Sequence, residues 1–273
     1  MVASLPPKPF HWVMARIKCK LCGEEADSCR AHIYPEWFFV HNIGKNVRPF
    51  LITTDIDDPQ KRKGQVDGVY DVGILCRSCD NGVLGALDGV GFRLYKGSER
   101  HTSADYWSAM FGYYTIRPED CRDFRRFVFS LYLRAFLTGQ KPFDSSASGI
   151  PPHQIDEILT RIRGEVVDGP CQGNYLTVLL REDAYKYRGV VQAPITTKLT
   201  DGTLVSGMQF GLWQFYINIG IIERPTEIFN YHFSALNAEG RVCRVDMSYE
   251  YDSLREVVGK IESRGNLKRS GVI

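Results

Sequence analysis

The chain has 273 residues, of which 44% are hydrophobic and 24% charged, and its formal net charge is +2. This balance excludes global disorder, and the length suffices for one large or two modest domains with a real hydrophobic core. No segment approaches the ~18–20 apolar residues of a membrane span, and the N-terminal residues lack the pattern of a secretory signal. The chain has no strongly basic arm, which counts against a free-standing DNA-binding protein. We therefore expect a cytoplasmic protein without a membrane partner.

The first hundred residues are predicted to combine short elements with loops. Residues 1–18 form an extended lead-in, because Pro6, Pro7 and Pro9 exclude a helix. A short strand is expected at residues 32–33, a helical turn at 36–41 and a polar loop or small hairpin at 44–70. A strand at 71–75 then leads to a helix that starts at Asp80, although its glycines disfavour helix.

The middle of the chain is predicted to be helical. Residues 121–138 carry apolar side chains at three- and four-residue spacing, which is typical of a half-buried helix. These side chains are Phe124, Phe127, Val128, Leu131, Ala135 and Phe136. The arginines of the same segment, among them Arg134, fall largely off this stripe. Two more helices are expected, at 104–116 and at 153–164, and the second has a proline start and a glycine end.

From about residue 170 the pattern becomes typical of strands. Segments rich in β-branched and aromatic residues alternate with turn signals. Strands are predicted at 175–181, 189–195, 203–210, 212–222, 227–236 and 241–247. A short helix at 252–264 follows.

The clearest chemical signal is a pair of CxxC motifs at residues 19–22 and 76–79. Without an export signal, paired CxxC motifs favour metal over disulfide. Each motif places two thiolates on one side of a tight turn, and two such turns complete a tetrahedral site. We therefore predict structural Zn2+ bound by Cys19, Cys22, Cys76 and Cys79. The alternatives are a redox-active motif or a chance cluster.

Further residues stand at fixed places around these motifs. Residues 31–35 are Ala-His-Ile-Tyr-Pro, residues 67–76 are DGVYDVGILC, and Asp80 and Asn81 follow the second motif directly. Over residues 15–95 this pattern resembles the HNH or His-Me finger nuclease family. The likeness is closer to uncharacterised bacterial HNH-like proteins, whose Phe-x-x-Ser-x-x-x-Arg helix pattern matches residues 127–134 and extends the likeness to about residue 165.

The resemblance implies a zinc-stabilised ββα element of treble-clef type and a metal-dependent endonuclease that hydrolyses phosphodiester bonds in DNA. It implies that His32 is the general base, that Asp71 orients the histidine loop, and that Asp80 with Asn81 binds a catalytic Mg2+ or Mn2+. Histidine suits this role because it exchanges protons near neutral pH. The resemblance also suggests a phage-defence effector that has nucleic acid and a protein of a defence complex as partners.

One departure from the family pattern keeps other functions open. Active HNH enzymes usually carry an acidic residue or histidine directly before the motif histidine, where it binds the ion, and Ala31 stands there. A non-catalytic zinc-stabilised module that binds nucleic acid or protein is the first alternative. The second is a structural protein whose β-rich third carries the function.

Several of the singled-out residues also have ordinary structural interpretations. His32 can be a packed residue, and Asp80 with Asn81 can cap the helix that follows. The basic triplet at residues 61–63 and the arginines Arg122, Arg125 and Arg126 can be solvated surfaces as well as phosphate contacts.

These observations predict an α+β fold in three parts. They are a zinc-binding HNH-like domain at 1–100, a helical segment at 101–168, and a mostly antiparallel β-domain at 169–273.

Overall fold

In a computed structural model of the protein, the structure describes residues 15–42, 50–52, 69–102, 113–115, 118–140, 143, 150–165, 176–181, 190–198, 204–211, 213–219 and 241–245. Within these ranges the helices are α1 (Glu36–Asn42), α2 (Gly85–Thr102), α3 (Pro118–Leu137) and α4 (Pro152–Arg163), and a π-helical turn (Cys79–Leu84) runs into α2. The strands are β1 (Arg16–Lys18), β2 (Glu25–Asp27), β3 (Ala31–His32), β4 (Phe50–Ile52), β5 (Tyr70–Asp71), β6 (Tyr113–Thr115), β7 (Leu176–Arg181), β8 (Val190–Gln192), β9 (Ile195–Lys198), β10 (Leu204–Phe210), β11 (Trp213–Ile219) and β12 (Arg241–Val245).

Two small antiparallel pairs and one large sheet account for these strands. β1 pairs with β2, and β3 pairs with β5 so that Ala31 lies opposite Asp71 and His32 opposite Tyr70. The eight-stranded sheet has the order β4-β8-β10-β11-β7-β12-β6, and β9 also pairs with β10. β4 and β8 run parallel, as do β12 and β7, whereas the other pairs are antiparallel. The predicted α+β class is confirmed.

The apolar stripe of α3 packs into the core as the sequence predicts. Phe124, Phe127 and Leu131 are completely buried, and Phe124 contacts Trp213 of β11 with ring centroids 5.1 Å apart. The Tyr132 hydroxyl lies 2.8 Å from the Ser206 carbonyl oxygen and 2.9 Å from that of Phe215. α3 therefore covers one face of the β10–β11 pair.

The three predicted parts share this sheet and this core. β4 comes from the first part and β6 from the second, yet both are strands of the same sheet as the C-terminal ones. The Tyr34 hydroxyl, directly after β3, donates to the Gln192 carbonyl at 3.1 Å. The boundary at residue 100 falls inside α2, and that at residue 168 lies outside the described residues.

Four sequence predictions need correction. The polar loop or hairpin expected at 44–70 contains β4, which pairs with β8, and the strand expected at 189–195 is divided into β8 and β9. The helix expected at 104–116 is wrong for residues 113–115, which form β6 and pair with β12; this Tyr-Tyr-Thr run has strong β propensity. The strand expected at 71–75 ends at Asp71, because the chain turns there toward the second cysteine pair. The strand predicted at 227–236 and the helix predicted at 252–264 lie outside the described residues.

The helices are too short or too polar to cross a membrane, as far as they are described.

Candidate metal centre and active site

The two CxxC motifs meet in space. The sulfur atoms of Cys19, Cys22, Cys76 and Cys79 all lie within 4.8 Å of one another. Zinc binds thiolates at about 2.3 Å in tetrahedral geometry, which puts the sulfur atoms about 3.8 Å apart. The cluster could therefore hold a metal ion, consistent with the predicted structural zinc.

The backbone of each motif explains this convergence. Gly23 has φ +81°, a left-handed conformation that glycine adopts without strain, and its N–H donates to the Cys19 carbonyl at 2.8 Å. The Lys20 N–H donates to the Ile74 carbonyl at 2.9 Å, which ties the first turn to the second. The Cys76 N–H donates to the Cys19 sulfur at 3.4 Å.

Three of these thiols differ in how readily they lose a proton. Although burial raises the pKa of Cys76, hydrogen bonds from the Ser78 hydroxyl and from the Cys79 N–H and thiol lower it to about 6. Burial raises the pKa values of Cys22 and Cys79. Cys76 is therefore deprotonated more readily than Cys22 or Cys79, and metal binding would displace the remaining protons.

Cys29 lies beside this cluster without belonging to it. Its thiol donates to the Leu75 carbonyl at 3.3 Å. Burial, followed by the negative charge of Asp80, raises the pKa of Cys29 to about 12. A thiol with this pKa stays protonated at neutral pH and is a poor metal ligand.

His32 is the last residue of β3 and pairs with Tyr70 of β5. Its Nε2 atom is buried and has no hydrogen-bond partner among the described residues. Its ring meets the Tyr70 ring edge-on, with centroids 6.4 Å apart. A buried polar atom without a partner is uncommon in folded proteins, and an unprotonated imidazole nitrogen can accept a proton.

Asp80 and Asn81 lie in the π-helical turn after the second cysteine pair. The Asp80 N–H donates to the Cys76 carbonyl at 3.0 Å, and Asn81 is exposed. The N-cap position belongs to Ser78, so Asp80 and Asn81 do not cap this helix. Burial raises the pKa of Asp80, and the charges of Arg134 and His32 partly offset that rise. The positive charge of His32 thus favours the ionised form of the Asp80 carboxyl.

Asp71 makes contacts away from the imidazole. One carboxylate oxygen accepts the Gly73 N–H at 2.7 Å, and the other accepts the Thr138 hydroxyl, also at 2.7 Å. Asp71 therefore holds the loop that leads to the second cysteine pair and joins it to the end of α3.

Sequence reasoning missed the central charge of this region, Arg134. Its side chain is 1% exposed, although the helical periodicity of residues 121–138 places it away from the apolar stripe that faces the core. One terminal nitrogen, Nη2, lies 3.0 and 3.1 Å from the two carboxylate oxygens of Asp88, and Nη1 donates to the His32 carbonyl at 3.4 Å. Burial raises the pKa of Asp88, and Arg134 partly offsets the rise. Only the match at residues 127–134 pointed toward Arg134.

The predicted phosphate-binding residues have ordinary surroundings where they are described. Arg122 is exposed and lies 3.7 Å from Asp123. Arg126 donates to the Ile162 carbonyl at 2.7 Å, which joins α3 to α4. The basic triplet at 61–63 lies outside the described residues.

No family model matches this chain, and comparison with curated proteins and with solved structures found no match.

Proposed function

We propose that this protein is a metal-dependent endonuclease of HNH type that hydrolyses phosphodiester bonds in DNA. The observation that carries the proposal is the buried, unpartnered Nε2 of His32, together with the charge of His32 that lowers the pKa of Asp80. Asp80 directly follows the last cysteine of the four-cysteine cluster. Under this proposal the β3–β5 pair and the helix after Cys79 form the ββα element. The zinc-loaded cysteines fix its geometry.

In the proposed reaction, His32 acts as the general base. Its Nε2 accepts a proton from a water molecule, and the oxygen of that water attacks the phosphorus of the scissile bond. The β3–β5 pairing and the contacts of Asp71 hold the strand that carries the imidazole. Asp80, at the start of the helix, keeps a carboxylate next to the reacting phosphate.

The chain fits a divalent ion that is bound through few protein ligands. Asp80 offers a carboxylate that makes no ion pair within the described ranges, whereas Asp88 is paired with Arg134 and Ala31 offers no ligand atom. Mg2+ suits such a site because it usually keeps several waters and takes further ligands from phosphate. When bound, the ion would stabilise the charge that develops on the phosphate and on the leaving 3′-oxygen.

Cleavage of plasmid and single-stranded DNA by the zinc-loaded protein tests this function. Mg2+ or Mn2+ should be added or omitted rather than chelated, so that the structural zinc is undisturbed. We expect cleavage that depends on the added ion and that His32→Ala abolishes. The matched control is His153→Ala, which removes an exposed histidine of α4 and should cleave as the wild type does. Equal cleavage by His32→Ala and wild type would contradict the proposed site.

One observation favours a second function, a non-catalytic zinc-stabilised module that binds nucleic acid or a protein. Ala31 is completely buried opposite Asp71, so the usual position of a second metal ligand is filled by packing. This function predicts DNA binding in a gel-shift assay without cleavage under any divalent ion. It also predicts equal binding by wild type and His32→Ala.

A further inference from the structure

The last turn of α3 and Thr138, the residue directly after it, contact both strands of the β3–β5 pair. Arg134 donates to the main-chain carbonyl of His32 in β3 at 3.4 Å, and Thr138 donates to the carboxylate of Asp71 in β5 at 2.7 Å. Residues four positions apart lie on one face of a helix, and the Thr138 N–H indeed bonds to the Arg134 carbonyl. Both side chains are buried, so these contacts are shielded from competing water.

Arg134 also reaches α2, which continues the π-helical turn that carries Asp80. Its Nη2 contacts both oxygens of Asp88, two turns further along that helix. The guanidinium is planar and rigid, and its nitrogens point in fixed directions. A single buried side chain therefore spans the strand that carries His32 and the helix that carries the candidate metal ligand.

Thr138 acts on the opposite strand. Asp71 uses one oxygen for the Gly73 N–H and the other for Thr138, so both oxygens are engaged. This fixes the turn at which β5 leaves toward the second cysteine pair.

From these contacts we infer that the last turn of α3 positions the candidate active site, with Arg134 setting where His32 lies relative to Asp80 and Thr138 holding the opposite strand. The inference rests on the proposed function and deepens it, since it makes Arg134 and Thr138 positioning residues of the same reaction. It also extends the site beyond the first hundred residues. The strands β3 and β5 and the helix α2 are joined to one another by α3, which comes from the middle of the chain.

A merely structural role for Arg134 would predict a loss of stability without a displaced histidine. The distinguishing measurement is the imidazole signal of His32 in 1H–13C NMR spectra of the zinc-loaded protein, assigned by its absence in His32→Ala. We expect Arg134→Gln to shift this signal and Arg134→Lys, which keeps the charge, to restore part of the shift. Arg122→Gln makes the same chemical change at the exposed end of α3 and should leave the signal as in wild type.

Cleavage kinetics give the second readout. We expect Arg134→Gln to lower kcat by about 10–100-fold, the usual effect of losing a residue that orients a catalytic group. KM should change little because the substrate does not touch a buried guanidinium. His153→Ala, the control of the cleavage assay, should keep both constants.

A folded, zinc-loaded Arg134→Gln whose His32 signal matches that of wild type would overturn the inference. If Arg134→Gln does not fold, Thr138→Val decides, because it removes one hydroxyl at nearly constant volume. We expect it to shift the His32 signal through the β3–β5 pairing, and an unchanged signal would overturn the inference. Absence of cleavage by the wild type would count against the proposed function alone, since the NMR comparison tests positioning without activity.

Discussion

At the residue scale, Cys29 and Cys76 differ although both lie at the same cluster. Cys76 faces three other sulfur atoms and receives hydrogen bonds that favour its thiolate. Cys29 donates to a carbonyl oxygen and lies near the negative charge of Asp80, which keeps it a neutral thiol. Spacing along the chain separates the two correctly, since only Cys76 belongs to a CxxC motif.

Zinc content tests this difference. We expect Cys76→Ser to lose most of the zinc that the wild type binds, because serine does not replace a thiolate ligand. Cys29→Ser should keep the wild-type zinc content, measured as metal per chain by mass spectrometry after dialysis. Loss of zinc from Cys29→Ser would mean that the ligand set has been misassigned.

Arg134 shows at the same scale what sequence periodicity misses. An arginine off the apolar stripe is expected to face solvent, yet Arg134 is buried because Asp88, 46 residues earlier, pairs with it. No local pattern reveals such a partner. The cysteine pairs and His32 were found because their spacing carries chemistry, whereas Asp88, Arg134 and Thr138 become visible only when α2 and α3 pack together.

The Asp88–Arg134 pair leads to a stability prediction. Asp88→Asn leaves the buried charge of Arg134 uncompensated, and breaking a fully buried pair costs about 3–5 kcal/mol. Because Asp88 itself is 21% exposed, we expect its loss to lower the free energy of unfolding by about 3 kcal/mol, at the low end of that range. Replacing both residues by apolar ones, as in Asp88→Leu with Arg134→Met, should cost less than the two single changes added together. Urea denaturation of Asp88→Asn, of Asp88→Leu and Arg134→Met singly, and of the double variant measures these values, and strict additivity would contradict the pairing.

At the element scale, the sequence predicts α3, α4, β7, β10, β11 and β12 with small errors at their ends, whereas it merges β8 and β9 into one strand at 189–195. These elements have strong internal signals, such as the stripe of α3 or the Gly164 that ends α4 with φ +76°. The glycines in the first half of α2 lower its intrinsic helix propensity. Close packing against α3 explains why a glycine stands at one of these positions. A Cβ atom at Gly91 would overlap the Phe127 ring of α3, so the glycine allows the two helices to approach closely.

Two matched substitutions in α2 test this explanation. Gly91→Ala should destabilise the protein by about 1–3 kcal/mol, because the methyl group forces α2 away from α3. Gly89→Ala should stabilise it by up to ~1 kcal/mol, since this glycine is exposed, has nothing within 4 Å of an added Cβ, and pays only the helix penalty. Thermal unfolding followed by circular dichroism measures both. Equal effects of the two substitutions would show that close packing does not select Gly91.

At the scale of the whole molecule, the cysteine cluster is joined to the helices that cover the sheet. Lys20, between the first two cysteines, donates to the Leu137 carbonyl at the end of α3 at 2.8 Å. Arg163, at the end of α4, donates to the Leu21 carbonyl at 2.7 Å. These two contacts cannot be predicted from the composition of the three parts. In each contact, one side chain donates to a carbonyl oxygen that is far away in sequence.

Metal removal should therefore weaken the entire fold and not the cysteine cluster alone. Zinc at about 100 times its dissociation constant stabilises a protein by about 2.7 kcal/mol, so its removal should lower the melting temperature by about 5–10 °C for a chain of this size. Because Lys20 and Arg163 connect the cluster to α3 and α4, and α3 packs on β10 and β11, the sheet should melt in the same transition.

Differential scanning calorimetry before and after chelation, with hydrogen exchange of residues 204–219 as the local readout, measures both effects. Restored zinc should restore the melting temperature. Unchanged protection of residues 204–219 in the metal-free protein would mean that the cluster and the sheet are energetically independent, despite the contacts that join them.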